Sequence, residues 1–408
     1  MAGKTTITLP LLRLGRLQMN TALRALPLGS ASSGPVVTAT VSVPATPVDR
    51  SYEWDVAWAD AARQASQRGA DEATAQALAT GAGQPVAGGT RVVVAAHGEV
   101  LLARWLPHGT GAGSVLVGPL PRLLEVAAAA ARRPAHVVLL ADRDGTDVVT
   151  HAAGGDGGDG GGPAPGEPFP VGRRPGAQHD PHPGRPPGQL HGERHLTDRE
   201  PESGGEHNAE FIAGRVAQAA EGVGAHIVLG AGDQHILDAI AGHLPESLRP
   251  VTTIAGGRAP DGLDDRLSAA IDAALDEITA AAIGGVGDLV AERAGGPSPA
   301  AVRGIAVVAE QLAEQQVAVL LVAADLAKDA DAGSGYRIGS RPTEFLVGQS
   351  GTGTSSTGTS DAGTEVPLAD GLVWAALHQD AIIVQLPDRT GPLAGEPAAA
   401  LLRRGAVP

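Results

Sequence analysis

Apolar positions along this chain come in short runs with a period of two or of three to four, punctuated by glycine and proline. Val36 to Val43 is rich in β-branched residues and is ended by Pro44 and Pro47, which predicts a strand. From Ser51 to about Leu78 the spacing is helical, with Trp54, Trp58, Ala62 and Ala65 on one side. Arg91 to Ala96, the pair His97-Gly98, and Glu99 to Trp105 read as strand, tight turn and strand. Leu120 to Ala131 predicts a short helix that Pro134 stops. Together these define a first block, 1–133.

A second block, 134–260, opens with another hairpin: His136 to Leu140, an Asp-Arg-Asp-Gly turn, then Asp147 to His151. Glu206 to Glu221 is helical, Ala225 to Gly230 is a strand, Asp233 to His243 a helix, and Pro250 to Ile254 a last strand. Between hairpin and helix lies a stretch, 154–205, with no hydrophobic period. Seven of its residues from Gly154 to Gly162 are glycine, which marks a linker or loop tip. A third block, 261–408, carries a helix from Leu263 to Ile283 with Leu267, Ile271, Leu275 and Ile278 at helical spacing. Ser298 or Pro299 opens a helix to about Glu314, and Val317 to Ala323 reads as a buried strand. A Gly/Ser/Thr insertion, 348–363, interrupts the block. Leu372 to His378 and Ala381 to Leu386 add a further α/β unit, and Leu401 to Pro408 reads as a fraying tail. Strands alternating with helices predict a mixed α/β fold, here in three separate units.

Composition narrows the chemistry. The formal net charge of the 408 residues is −15, which argues against non-specific DNA binding but permits a local basic element. Cysteine is absent, which excludes disulfides, thiolate metal sites and a thiol nucleophile. Lysine occurs only as Lys4 and Lys328, so arginine carries the positive charge. No apolar run reaches the ~18–20 residues of a membrane span. Arg13 and Arg16 interrupt the apolar patch near the start, so the expectation is a cytoplasmic protein without a membrane partner.

The most informative stretch is 173–211. Arg173, Arg174, Arg185, Arg194 and Arg199 punctuate a Gly/Pro-rich segment that also holds His179, His182, His191, His195 and His207. Arginine forks bind phosphate bidentately, and histidine can stack on bases. The alternative is a solvated linker. His191 and His195 have the i, i+4 spacing of zinc ligands on a helix, but the surrounding prolines and glycines oppose a helix and no third ligand has a fixed place. No metal and no cofactor is expected. Gly230-Ala231-Gly232-Asp233-Gln234 follows a strand and precedes a helix; it reads as a tight turn more readily than as a phosphate cradle. The acidic runs Asp198 to Glu206 and Asp261 to Asp265 offer carboxylate pairs, or simply solvated helix starts. No Gly-x-Ser-x-Gly elbow is present.

The block order resembles bacterial relatives of the archaeo-eukaryotic peptide-chain release factor family, in the actinobacterial branch described as peptidyl-tRNA hydrolase-like. The residues that carry the resemblance are VVTATVSV, WDVAWADAARQ, GGTRVVVAAHGEVL and VGPLPRLLEV in block one. In block two they are RRPAHVVLLADRDGTDVV and HNAEFIAGRVAQAAEGVGAHIVLGAGDQ, and in block three RGIAVVAEQLAEQQVAVLLVA and LHQDAIIVQL. The resemblance implies an N-terminal α/β domain, a central release-factor-like domain, and a C-terminal domain related to ribosomal protein L30 and Pelota. In release factors a Gly-Gly-Gln tripeptide in the central loop enters the peptidyl-transferase centre. Here the match is Pro187-Gly188-Gln189, so only Gly188 and Gln189 correspond. Proline fixes φ near −65° and cannot copy a glycine at positive φ. The stop-codon-reading motifs of the family have no counterpart in block one.

The implied function is ribosome binding in the A site as a tRNA mimic, protecting idle ribosomes in stress or hibernation without peptide release. In that reading Arg173, Arg174, Arg185, His191, Arg194, His195 and Arg199 touch 23S rRNA. The N-terminal domain lies by 16S rRNA, and a translation GTPase such as elongation factor Tu is the protein partner. The alternative is an enzyme, a peptidyl-tRNA hydrolase or rescue factor acting through Gly188 and Gln189.

Overall fold

The computed structural model describes residues 13–26, 34–43, 50–84, 89–107, 113–142, 145–153, 169–171, 200–257, 265–295, 299–326, 337–338, 342–343, 345–346 and 364–403. By internal packing the chain forms two compact units. One comprises Met1–Pro134, Ala153–Ala164 and Leu275–Pro408; the other comprises Ala135–Ala152 and Pro165–Ala274.

The first unit begins with a single helical turn, α1 (Thr21–Arg24), where Asn20 Oδ1 accepts from the Leu23 amide at 2.8 Å. There follow β1 (Val36–Ser42), α2 (Arg50–Gln67), α3 (Glu72–Gly81), β2 (Gly89–Ala96), β3 (Glu99–Pro107), β4 (Ser114–Gly118) and α4 (Leu124–Arg132). The strands form one antiparallel sheet in the order β3-β2-β1-β4. The β2–β3 hairpin turns at His97 (φ 55°) and Gly98 (φ 78°), the double positive-φ turn whose twist suits a two-residue hairpin. The helix expected over 51–78 is broken. Gly69 takes φ +99° and Asp71 caps a second helix, its Oδ1 accepting from the Thr74 amide at 2.8 Å. Along β2 the alternation is literal: Val92 and Val94 enter one core, Val93 and Ala95 another with Trp54 and Trp58 of α2.

The second unit holds β5 (His136–Ala141), β6 (Thr146–His151), β7 (Phe169–Val171), α5 (Glu200–Val223), β8 (Ile227–Gly232), α6 (Gln234–His243) and β9 (Thr252–Thr253). Its sheet runs β7-β6-β5-β8-β9, with β5, β8 and β9 mutually parallel and β6 and β7 antiparallel to their neighbours. β5 is apolar from Val137 to Ala141 because both faces of a parallel strand are covered. The helix expected from Glu206 begins at Glu200 instead. Pro201 is tolerated in its first turn, where the amide hydrogen has no acceptor in any case.

The chain then enters α7 (Asp265–Arg293), which passes from the second unit to the first between Ala274 and Leu275. It runs past the expected end at Ile283. Gly287 lies inside it because a Cβ there would come within 2.6 Å of Pro392 Cγ. The remaining elements are β10 (Ala301–Arg303), α8 (Ile305–Ala313), β11 (Val317–Ala323), β12 (Arg337–Ile338), β13 (Phe345–Leu346), β14 (Thr364–Glu365), α9 (Leu368–Leu377), β15 (Ile382–Leu386) and β16 (Ala398–Leu402).

Two expectations change here. The helix proposed from Ser298 is a short strand, β10, followed by the shorter α8. The tail proposed from Leu401 contributes instead to β16, an inner strand in the order β10-β16-β11-β15, with Leu401 and Leu402 fully buried. Non-local pairing overrides the helix-forming composition of Ala398 to Leu402. β12, β13 and β14 form a small separate sheet, and the insertion 348–363 lies outside the described residues.

The main sheets use strands from 36–118, from 136–253 and from 301–402. The cores divide otherwise. Val92, Val94 and Leu102 of the first sheet share one core with Leu320, Val322 and all-round-buried α9 of the last. On the far face of the last sheet, Val319 and Leu321 meet Val286 and Val290 of α7. A helix apolar on every side is what a central layer requires.

Candidate RNA-facing segment and the domain that carries it

The residues proposed to contact RNA, Arg173, Arg174, Arg185, His191, Arg194, His195 and Arg199, lie outside the described residues, as do Gly188 and Gln189. What the structure gives is the attachment of that segment at both ends. Upstream it leaves β7, which is paired to β6 through Val171 with Thr146, Pro170 with Asp147 and Phe169 with Val148. Downstream it enters α5, a helix of 24 residues. Ala209, Ile212, Ala213, Val216 and Ala220 are buried along one stripe of α5. Burying that stripe stabilises the helix far beyond intrinsic propensity, at roughly 25 cal/mol per Å² of apolar surface. The segment thus hangs from an edge strand and a long anchored helix.

The glycine turn after β8 resolves as a structural turn. Gly232 takes φ +119°, and a Cβ on it would lie 1.9 Å from the Ala141 carbonyl oxygen. The Asp233 amide donates to that same oxygen at 2.8 Å, and Asp233 Oδ1 accepts from the His235 amide at 3.0 Å. Two of the amides that could cradle a phosphate, those of Asp233 and His235, are thus already committed within the fold.

The groove beside α6 is not apparent from the sequence. A cavity of about 710 Å³ opens between α6 and β9, with Leu237 and Val251 among its walls and Asp238, Glu246 and Arg249 at its rim. Gln234 Nε2 donates to Asp238 Oδ1 at 2.7 Å along the same helix face. The available signal was the stripe Gln234, Leu237, Asp238, Ala241 and Gly242, which recurs every three to four residues yet mixes apolar and polar side chains.

His136 and His151 stack across β5 and β6, ring centroids 4.5 Å apart and planes 9° from parallel. Among the described residues no group of three or more metal-ligating side chains could hold an ion. The acidic runs 198–206 and 261–265 contribute no described side chain. In the first unit Asp370 is buried in α9, and desolvation pushes its carboxyl up to about 6 against the lowering pull of Arg122. His378 is held below its ordinary value, chiefly by burial.

No helix among the described residues is long and apolar enough to cross a membrane. Residues 135–296 match Bacterial archaeo-eukaryotic release factor family 2. Similar solved structures include a model of ribosome-bound archaeal Pelota and ABCE1, 13% identical, covering 95% of this chain and 95% of that one with a TM-score of 0.36. Archaeoglobus fulgidus Pelota is 14% identical, covering 95% and 94% with a TM-score of 0.30. The archaeal translation termination factor aRF1 is 12% identical, covering 91% and 94% with a TM-score of 0.21. No curated protein matches the sequence.

Proposed function

We propose that this chain, a bacterial archaeo-eukaryotic release factor-like protein through residues 135–296, is a ribosome-associated translation factor that occupies the A site without releasing peptide. The observation that carries the proposal is the family match itself, because the matched span contains the Arg/His segment between β7 and α5. In this reading the segment enters the large subunit, and Arg173, Arg174, Arg185, Arg194 and Arg199 neutralise phosphates of 23S rRNA while His191 and His195 stack on bases. Residues 1–133 act as the domain nearest 16S rRNA, and residues 261–408 as the domain that meets a translation GTPase such as elongation factor Tu. The setting is the cytoplasm, and the biological role is protection of idle ribosomes under stress.

The absence of release follows from chemistry. Water attack on the peptidyl ester needs a glutamine presented by a backbone able to approach the tRNA end closely. Pro186 and Pro187 stiffen and thicken that approach. One observation favours a second reading: Gly188-Gln189 does retain two of the three residues of the release tripeptide. A peptidyl-tRNA hydrolase or rescue factor would use Gln189 to position water. Sucrose-gradient fractionation of a stationary-phase lysate, probed for this protein, tests ribosome association. A peptidyl-tRNA cleavage assay with the purified chain and its Gln189→Ala variant separates the two readings.

A further inference from the structure

Among the described residues, the sheet of the second unit ends on β9 as an edge strand. β9 is the last strand in the order and pairs only with β8 among the described residues, Thr252 with Leu229 and Thr253 with Gly230. The Ile254 amide donates to the Gly230 carbonyl at 2.8 Å. In a parallel ladder successive residues aim their backbone groups to opposite sides. Thr252 and Ile254 therefore face β8, and the amide and carbonyl groups of Val251 and Thr253 face outward. Such an edge is a template for another strand, and natural folds ordinarily cover or blunt it.

The same residues that present the edge also line the groove against α6. A strand added to β9 would place alternate side chains over the cavity walled by Leu237 and Val251. Gly242 leaves that space open: a Cβ built on it meets no atom within 4 Å. The rim is net acidic, with the carboxylates of Asp238 and Glu246 against the single guanidinium of Arg249, on a chain of formal charge −15. We propose that β9 and the α6 groove form a docking site for an extended segment of a partner protein with alternating apolar and basic side chains. The backbone would supply β-augmentation, the groove would take the apolar residues, and the rim would take the cations. None of the residues of this site belongs to the Arg/His segment, and the proposal does not depend on ribosome binding.

The test uses the full chain and a fluorescein-labelled peptide of alternating lysine and valine, read by anisotropy. Controls are an alternating glutamate and valine peptide, and a lysine and glycine peptide of equal charge. Two variants address the site. Gly242→Phe fills the groove from a helical position with ordinary φ. Thr253→Pro removes an outward amide hydrogen that has no acceptor among the described residues, at an edge where proline is tolerated. The expected result is selective binding of the lysine and valine peptide, weakened at least about tenfold by each variant, that is about 1.4 kcal/mol. Circular dichroism and melting checks show whether each variant folds, and retention of fold in one suffices. Equal binding of the lysine and glycine peptide would mean mere attraction to an acidic surface and would overturn the proposal. So would preference for the acidic peptide, or binding unmoved by a folded variant. A dimer that Thr253→Pro dissociates would assign the edge to a second copy of this chain instead.

Discussion

Arg122 Nε lies 3.7 Å from Asp370 Oδ1, joining the loop before α4 to the buried face of α9. The Arg122 amide in turn donates to Thr38 Oγ1 of β1 at 3.0 Å. Burial outweighs the guanidinium, so the Asp370 carboxyl is raised from 3.8 to about 6. A folded state with the higher pKa binds more protons between these values, so unfolding becomes easier as pH rises through that window. The loss is on the order of 3 kcal/mol, since each unit is worth about 1.36 kcal/mol. Asp370→Asn should therefore be at least as stable as the natural chain at pH near neutrality and should lack the slope between pH 3.8 and about 6. Chemical denaturation across this range checks it; strong destabilisation by Asn at neutral pH would show that the ion pair outweighs its desolvation.

His378 should act in the opposite sense. Its folded value lies below the ordinary 6.5, mainly through burial. The unfolded chain then binds the extra proton, so stability falls as pH drops below about 6.5 toward the lowered value. His378→Gln should flatten that acid limb in the same denaturation series.

Trp374 is fully buried in α9, within the core shared by the first and last sheets. Trp374→Ala should cost about 3–5 kcal/mol. Because the core is shared, the loss should appear in protection of both β2 and β11 amides by hydrogen exchange. Loss confined to β11 would mean the two sheets open independently.

Two glycines on adjacent elements should respond with opposite signs. Gly232→Ala forces a methyl against the Ala141 carbonyl at positive φ and should destabilise by about 2 kcal/mol or more. Gly242→Ala enters open space in α6 and should stabilise by roughly 0.4–1 kcal/mol. Thermal unfolding of the two variants decides it.

Local signals made the hairpins legible. His97-Gly98 and the Asp-Arg-Asp-Gly sequence each sit between apolar runs, and both antiparallel ladders formed, β2–β3 with a register shift between Val94 and Ala95. The break between α2 and α3 was also written in the sequence, as Gly69 followed by Asp71 at capping distance from Thr74. β10 and β16 were not legible. Ala398 to Leu402 has helix-forming composition and becomes a strand only because Ala301 and Leu320 flank it across the sheet. The length of α7 was hidden by Gly284, Gly285 and Gly287, the last explained only by Pro392 packing on it. The groove beside α6 needed β9 in place before Leu237 and Val251 could be seen to wall one cavity. The Arg/His segment was conspicuous by composition alone.

If that segment binds phosphate, replacing Arg173, Arg174, Arg185, Arg194 and Arg199 together by Ala should release the protein from ribosomes. Binding of the natural chain should weaken steeply with salt, in proportion to the phosphates neutralised. The melting temperature should stay nearly constant, because α5 keeps its buried stripe and β7 keeps its pairing to β6. Unchanged co-sedimentation would remove the segment from the interface.

The most direct measurement is sedimentation of the purified chain with ribosomes that carry labelled peptidyl-tRNA, through a sucrose cushion. The predicted result is that the chain pellets with the ribosomes and the peptide label pellets too. A chain left in the supernatant would contradict ribosome binding. A chain that pellets while freeing the label, with release abolished by Gln189→Ala, would contradict occupancy without release and establish the hydrolase.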